Sequence, residues 1–192
     1  MKKPKILAFA GSTRTDSFNK KLIQIAINGA KKAGAEVTYI DLRDFPLPLY
    51  DGDLEAAEGL PENAKKLKRL FIEHQGLLIA SPEYNSSISG VLKNTLDWVS
   101  RPAPGEGFLA CFNNKVAGIM SASLGELGGL RGLVTLRSIL GNINVLVVPQ
   151  QVSISNAGSA FENNTTLKDA KRQASVESIG EEVTKLLLRN LN

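Results

Sequence analysis

The segment KILAFAGSTRTDSFN, residues 5–19, indicates how the rest of the chain folds. Its first part, Lys5–Ala10, is a short apolar run that ends at Gly11, which is typical of a buried β-strand. Its second part is rich in hydroxyl groups and contains one guanidinium. It leads directly into Ser17–Ala33, where apolar residues recur at helical spacing. This segment therefore predicts a buried strand, a polar loop and a helix in immediate succession.

The same alternation continues along the whole chain. The predicted strands are Lys5–Ala10, Glu36–Asp41, Gly76–Ala80, Lys115–Ser121 and Asn144–Val148. The predicted helices are Ser17–Ala33, Pro61–His74, Ser89–Val99, Leu130–Leu140 and Leu167–Leu191. Phe45–Leu60 contains two prolines and no clear period, so we expect a long loop there. Strands that alternate with helices predict a parallel sheet covered on both faces, and we expect one domain over residues 1–192.

Composition narrows the classes of protein that remain. One cysteine, Cys111, excludes an internal disulfide and a cysteine-based metal cage within one chain, and we expect no metal site. The net charge of +4 is spread over helical segments, so we expect no nucleic-acid partner, although a mild positive field suits an anionic nucleotide. No apolar run approaches the length of a bilayer span or of a signal peptide. We therefore expect a cytoplasmic protein without a membrane partner.

The polar loop after the first strand is a candidate phosphate site. It lacks the glycines of the dinucleotide fingerprint G-x-G-x-x-G and does not match the P-loop pattern. A helix N-terminus nevertheless presents unpaired N–H groups and the positive end of the helix dipole to an anion. The side chains that could add to this site are Ser12, Thr13, Arg14, Ser17 and Asn19. Simple capping of the helix by Asp16 or Ser17 is the alternative, but it explains only one of these residues.

Two further loops follow strands that end at the same edge of the predicted sheet. In open parallel sheets, ligands bind beyond the carboxyl ends of the strands. The loop Ser81–Ser87 contains Pro82, which ends the strand, and Tyr84, which offers an aromatic wall to a planar ring. The loop Ser121–Gly129 is rich in glycine, and it can either close on a ligand or serve as a flexible connector.

Together these loops resemble a known family. The patterns G-S-x-R-x-x-S-x-N, S-P-E-Y-N and K-N-x-x-D-W are similar to those of the NAD(P)H-dependent FMN reductases, which include quinone, chromate and azo-dye reductases. The matching positions are Gly11, Ser12, Arg14, Ser17, Asn19, Ser81–Asn85, Lys93, Asn94, Asp97 and Trp98. The resemblance covers nearly the whole chain. It implies a flavodoxin-like three-layer α/β/α sandwich with a five-stranded parallel sheet in the order 2-1-3-4-5.

The resemblance also implies a cofactor, substrates and an assembly. FMN would be the prosthetic group, NADPH or NADH the co-substrate, and the second substrate a small acceptor such as a quinone, free flavin, azo compound or chromate. The expected flavin-binding residues are Ser12, Arg14, Ser17, Phe18, Asn19, Pro82, Glu83, Tyr84, Asn85, Ser121, Ser123 and Gly125. The family forms homodimers and homotetramers, and the helix that ends near Trp98 resembles its subunit interface. No side chain is expected to be an essential acid or base, and Glu83 is expected to be a solvent-facing carboxylate.

Three other functions remain open at this point. A flavodoxin-type electron carrier would bind FMN without turning over NAD(P)H, although such carriers are generally acidic and this chain is basic. A regulatory nucleotide-binding module would be colourless when purified. A Rossmann dehydrogenase could use Asp41 as a ribose ligand, but the missing glycines argue against it. For a flavin site, the short polar loop predicts the affinity order FMN, FAD, riboflavin, because FAD brings an adenylate to the place where the loop closes.

Overall fold

The structure, a computed structural model, describes residues 3–190 and is built on one central sheet. The strands are β1 (Lys5–Ala10), β2 (Glu36–Asp41), β3 (Gly76–Ala80), β4 (Glu83–Tyr84), β5 (Ser87–Ile88), β6 (Val116–Ala122), β7 (Leu146–Ile154), β8 (Phe161–Asn163) and β9 (Thr166–Leu167). The helices are α1 (Phe18–Lys32), α2 (Gly52–Glu58), α3 (Glu62–Glu73), α4 (Gly90–Ser100), α5 (Leu130–Asn142), α6 (Ala157–Ala160) and α7 (Ala170–Asn190). One turn of 3-10 helix, Leu42–Asp44, follows β2.

The predicted fold class is confirmed by the sheet. Its five strands are parallel and lie in the order β2-β1-β3-β6-β7, so the fourth and fifth predicted strands are β6 and β7. Ile6 and Ala8 of β1 pack beneath α1 and α7, whereas Leu7 and Phe9 face α3, α4 and α5. Successive residues of one strand thus enter opposite apolar layers. Because both faces are covered, the central strands read as continuous apolar runs.

The helices α1 and α7 lie unusually close to each other. A Cβ atom on Gly29 would fall 2.0 Å from the backbone oxygen of Glu177, and one on Gly180 would fall 2.1 Å from that of Ala26. Glycine at both positions therefore allows the two backbones to touch. This contact fixes α1, which carries the polar loop at its N-terminus.

Two sequence predictions are wrong, one for the segment that follows β2 and one for the end of the fifth strand. The segment predicted as a loop over Phe45–Leu60 contains the helix α2, which is capped by the Asp51 side chain. None of its residues is buried, so it has no apolar period for the sequence to display. The fifth strand continues past its predicted end through Pro149 to Ile154. Proline is accommodated because β7 is an edge strand of the sheet.

Short hairpins account for the other differences. The strands β4 and β5 form one hairpin, and β8 and β9 form another, where the sequence predicts only loops or part of a helix. The last helix begins at Ala170 and not at Leu167, which belongs to β9. Leu191, its predicted end, lies outside the described residues. The remaining predicted helices and strands agree with the structure to within two residues at each end.

The segment between α4 and β6 matches no motif but is firmly held. Lys68 is buried, and its ammonium group contacts the Glu106 carboxylate at 2.7 Å and the carbonyl oxygen of Arg101 at 2.6 Å. Cys111 lies beside it and is also buried, and burial raises the pKa of this thiol. Burial and a raised thiol pKa are typical of a structural cysteine.

No helix in the described part of the chain is long and apolar enough to span a membrane.

The close contact of α1 with α7 predicts a specific sensitivity to small substitutions. Gly29→Ala places a methyl group against a backbone atom, and we expect the free energy of unfolding to fall by about 1–3 kcal/mol. Gly141→Ala is the matched control, because a Cβ there meets no atom within 4 Å. Alanine also favours helix, so Gly141→Ala leaves stability unchanged or slightly raised. Urea unfolding of both variants measures the difference, and equal behaviour would contradict the proposed contact.

Candidate functional site

A crevice of about 190 Å³ opens at the carboxyl ends of β1, β3 and β6. Its lining residues are Ser12, Arg14, Ser17, Phe18, Asn19, Pro82, Glu83, Tyr84, Ala122, Ser123 and Leu124. Three loops far apart in sequence therefore meet where an open parallel sheet is expected to bind its ligand. Ala122 and Leu124 are additions to the predicted set. Asn85, Ser121 and Gly125 belong to the same loops but do not line the crevice.

The loop between β1 and α1 forms the polar end of this crevice. Ser17 is only 5% exposed, and its hydroxyl has no hydrogen-bond partner among the described residues; in particular, it does not cap α1. Because α1 begins at Phe18, its first N–H groups have no partner within the helix. Arg14 is exposed beside them and forms no ion pair within residues 3–190. Donors and positive charge converge here without a protein acceptor.

Residues outside the loop determine its shape. The Arg43 guanidinium donates to the Thr13 carbonyl oxygen at 2.6 and 3.0 Å and to the Thr15 hydroxyl at 3.0 Å. Asp41 accepts a hydrogen bond from the Arg43 backbone N–H and forms an ion pair with Lys20 at 2.5 Å. Asp41, considered above as a ribose ligand, thus supports the loop. The sequence analysis missed Arg43 and Lys20, because neither belongs to a motif.

Asn19 lines the crevice, and its side chain also makes contacts that its motif does not predict. Its side-chain amide donates to the Ala122 carbonyl oxygen at 2.9 Å and accepts from the Ala122 N–H at 3.0 Å. Both polar atoms of this buried side chain are therefore engaged with the end of β6. Asn19 borders the crevice, but its contacts join two walls of the crevice and do not point into it.

The S-P-E-Y-N motif forms a hairpin. Glu83 and Tyr84 pair with Ile88 and Ser87, and the two residues between have positive φ, 51° at Asn85 and 65° at Ser86. A two-residue turn of this kind matches the twist of its flanking strands and favours asparagine. Asn85 therefore lies at the turn, outside the crevice, while Tyr84 remains 55% exposed at its mouth. An exposed aromatic ring beside backbone polar groups suits a planar heterocycle.

The Glu83 carboxylate does not face solvent, which corrects the sequence-based expectation. Its side chain is 10% exposed and accepts from the Gly132 backbone N–H at 2.9 Å. Gly132 lies in the first turn of α5, so Glu83 supplies this helix with an acceptor for an unpaired N–H group. The same carboxylate contacts Arg131 at 3.2 Å. Glu83 thus holds the hairpin against the start of α5.

The glycine-rich loop packs tightly beneath that helix. Gly129 has a φ of 88°, and a Cβ there would fall 1.9 Å from the hydroxyl oxygen of Ser121. Ser121 is fully buried, and its hydroxyl has no partner within the described residues. It lies under the loop and not in the crevice. Ser123 and Leu124 form the wall of the crevice instead.

The K-N-x-x-D-W motif has an internal structural role. Asn94 and Trp98 both donate to the Pro48 carbonyl oxygen at 2.8 Å, and Asn94 also accepts from the Tyr50 N–H. Trp98 is fully buried and packs edge-on against Tyr50. The motif therefore fixes the segment that follows β2. Because Trp98 is enclosed within its own chain, it offers no surface to a second subunit.

The crevice fits a phosphorylated planar molecule such as FMN. The unpartnered Ser17 hydroxyl, the start of α1 and Arg14 provide donors and charge for a terminal phosphate. Pro82, Glu83 and Tyr84 provide backbone groups and one aromatic ring for the planar portion. A parallel sheet in this order, with a glycine-poor phosphate loop after its first strand, defines a flavodoxin-like nucleotide-binding protein.

Comparison with known proteins identifies the group more closely. Residues 4–159 match the family described as NADPH-dependent FMN reductase. The chain is 34% identical to an NAD(P)H-dependent FMN reductase of Pseudomonas aeruginosa over 90% of this chain and 89% of that one. It is 32% identical to a quinone reductase of Escherichia coli over 76% and 74%. A flavoenzyme NAD(P)H:(acceptor) oxidoreductase from Paracoccus denitrificans superposes with a TM-score of 0.75 at 25% identity, covering 95% of this chain and 98% of that one.

The chain belongs to the NADPH-dependent FMN reductase family, and it is an oxidoreductase. This membership favours a reductase over the flavodoxin-type electron carrier that the sequence left open.

The contacts of Glu83 predict how its variants behave. Glu83→Ala leaves the Gly132 N–H without its acceptor, and we expect the free energy of unfolding to fall by about 1–2 kcal/mol. Glu83→Gln keeps an acceptor oxygen and loses only the pair with Arg131, whose side chain is 60% exposed. We therefore expect a loss below about 1 kcal/mol. Urea unfolding compares the two, with Glu58→Ala, at an exposed carboxylate, as control. Equal losses for alanine and glutamine would show that charge, and not the acceptor, stabilises the hairpin.

Proposed function

We propose that the chain works as a single FMN-binding domain that passes electrons from NAD(P)H to a small acceptor such as a quinone. The observation that carries this proposal is the unpartnered hydroxyl of Ser17, which lines the crevice beside the start of α1 and Arg14. This hydroxyl is not sealed within the protein, so it is available to a ligand that accepts from it. A phosphate group at the end of a planar cofactor would satisfy it.

In this proposal the protein holds the flavin at both ends. Ser12, Ser17, Arg14 and the first N–H groups of α1 bind the phosphate. Pro82, Glu83 and Tyr84 run along the ring, largely through backbone atoms, and Ser123 lies opposite. FMN, when bound, supplies the chemistry by accepting a hydride and passing electrons on. The Glu83 carboxylate already accepts a hydrogen bond from the first turn of α5, so no side chain of the crevice is assigned as an acid or base.

Both substrates would use the same open side of the crevice. The nicotinamide and the acceptor must each reach the planar ring, and Tyr84 is exposed where they would enter. The quinone is proposed because a relative named as a quinone reductase aligns over three quarters of the chain. Free flavins, azo compounds and chromate could also serve as acceptors, because each needs only access to the bound flavin ring.

A shared entrance predicts ping-pong kinetics. NAD(P)+ must leave before the acceptor enters, so double-reciprocal plots for NADPH at several quinone concentrations should give parallel lines. Steady-state oxidation of NADPH, followed by absorbance, provides the measurement. Intersecting lines would indicate a ternary complex and would overturn the shared entrance.

The phosphate loop predicts different effects on FMN and on riboflavin. Arg14→Ala removes one charge-assisted contact worth about 1.5–3 kcal/mol, so FMN affinity should fall about tenfold or more. Riboflavin lacks the phosphate, and its affinity should change less than about twofold. Tyr84→Ala is the control, because a ring contact affects both ligands alike. Fluorescence titration of the flavin-free full chain measures the affinities of both ligands for the wild type and the two variants. Equal losses for both ligands in Arg14→Ala would mean that Arg14 supports the fold.

We further propose that the chain forms a homodimer or homotetramer. Support comes from exposed apolar side chains in and after the glycine-rich loop, Leu127, Leu130 and Val134, which are 49%, 41% and 62% exposed. Burying such side chains against a second copy removes apolar surface from water.

Light scattering should therefore give at least a dimer mass at micromolar concentration, and Val134→Lys should shift the distribution toward monomer. A monomer mass for the wild-type chain, with full activity, would refute this assembly.

A further inference from the structure

A second cavity adjoins the phosphate end of the crevice. It has a volume of about 360 Å³ and is lined by Thr15, Asp16, Ser17, Lys20, Lys21, Gln24 and Asn164. Ser17 lines both spaces, so the cavity begins where the flavin phosphate is proposed to lie. Its walls are the polar loop, the outer face of α1 and the tip of the β8–β9 hairpin. It occupies the place where the sequence predicts that the loop closes against an adenylate.

The chemistry of the walls indicates what this cavity can hold. Every lining residue carries a polar group that a nucleotide can engage. The lining brings two ammonium groups close to Arg14, and each of them is paired with a carboxylate. Hydroxyl and amide groups at Thr15, Gln24 and Asn164 can bond to a sugar or a base. A phosphorylated nucleoside meets these conditions.

The two lysines are held in different ways. Lys20 is 12% exposed and pairs at 2.5 Å with Asp41, which supports the loop, so this pair belongs to the fold. Lys21 pairs at 2.7 Å with Asp16, whose side chain is 76% exposed. The Lys21 ammonium holds the pKa of the Asp16 carboxyl below its usual value. The Lys21 side chain is 23% exposed, and its ammonium lies 5.7 Å from the centre of the Phe18 ring. Because its partner carboxylate is largely exposed, the pair contributes little free energy, so Lys21 can turn from Asp16 toward an incoming phosphate.

We propose that this cavity is a subsite for the adenylate half of FAD, so that the chain binds FAD as well as FMN with the flavin phosphate at the same loop. The inference rests on the proposed flavin site and adds a second ligand class and a residue, Lys21, that distinguishes the two flavins. It replaces the expectation that the adenylate would collide with the loop.

Calorimetric titration of the flavin-free full chain with FMN, FAD and riboflavin tests the subsite. FAD should bind within about tenfold of FMN. Lys21→Ala should weaken FAD by about fivefold to tenfold, the loss of one charge-assisted contact, and leave FMN within about twofold. Gln24→Trp fills the cavity and should weaken FAD more than FMN. Lys31→Ala removes the same charge from the last turn of α1 and should alter neither.

The remaining outcomes distinguish a failure of the proposed FAD subsite from a failure of the proposed FMN site. FAD that binds no better than riboflavin overturns the subsite, as does a Lys21→Ala variant that weakens FMN and FAD equally. Both leave the FMN site intact. FMN that binds no better than riboflavin, with Lys21→Ala still lowering FAD affinity, contradicts the proposed phosphate loop instead.

Discussion

The paired hydrogen bonds between the Asn19 side chain and the Ala122 backbone hold the two main walls of the crevice together. They connect residues that are 103 positions apart and join the first turn of α1 to the last residue of β6. Buried polar pairs of this kind are costly to leave half-made, since a lost partner leaves an unsatisfied group in a dry environment. The separation between the phosphate end and the glycine-rich loop is therefore a fixed property of the fold.

Near this pair, charged side chains fix the shape of the loop between β1 and α1. In glycine-rich phosphate loops the backbone itself determines the shape. The polar loop has one glycine, and its course is set by Arg43, which holds the Thr13 carbonyl oxygen from the neighbouring β2 side. On the other side, the Glu83 carboxylate couples the β4–β5 hairpin to α5. These contacts engage Arg43 and Glu83 with the protein itself, whereas the side chains of Ser17 and Arg14 have no partner among the described residues. The polar groups of the crevice thus divide into those that shape it and those that face a ligand.

The sequence predicts the strands of the sheet because they depend on local signals, whereas the strand order follows from the family resemblance. Apolar runs such as Gly76–Ala80 identify buried strands, and the alternation with helices leaves few topologies. The three loops were located for the same reason, since they follow strands whose carboxyl ends meet. The roles of Glu83 and Asn19 could not be predicted, because their partners lie 49 and 103 residues away and are backbone groups that carry no sequence signature. The helix α2 was missed because it buries no side chain, and periodicity records only what is buried.

The edge strand β7 is poorly suited to pairing with a strand from another chain. Pro149 lacks an N–H group, and the pairing of β6 with β7 shifts register between Ala117 and Ile119, so the outer edge presents an interrupted row of donors. Uninterrupted edges act as templates on which another chain adds a strand and aggregation begins. At this edge the irregularity obstructs the addition of a sixth strand from another chain, and the sheet ends at five strands.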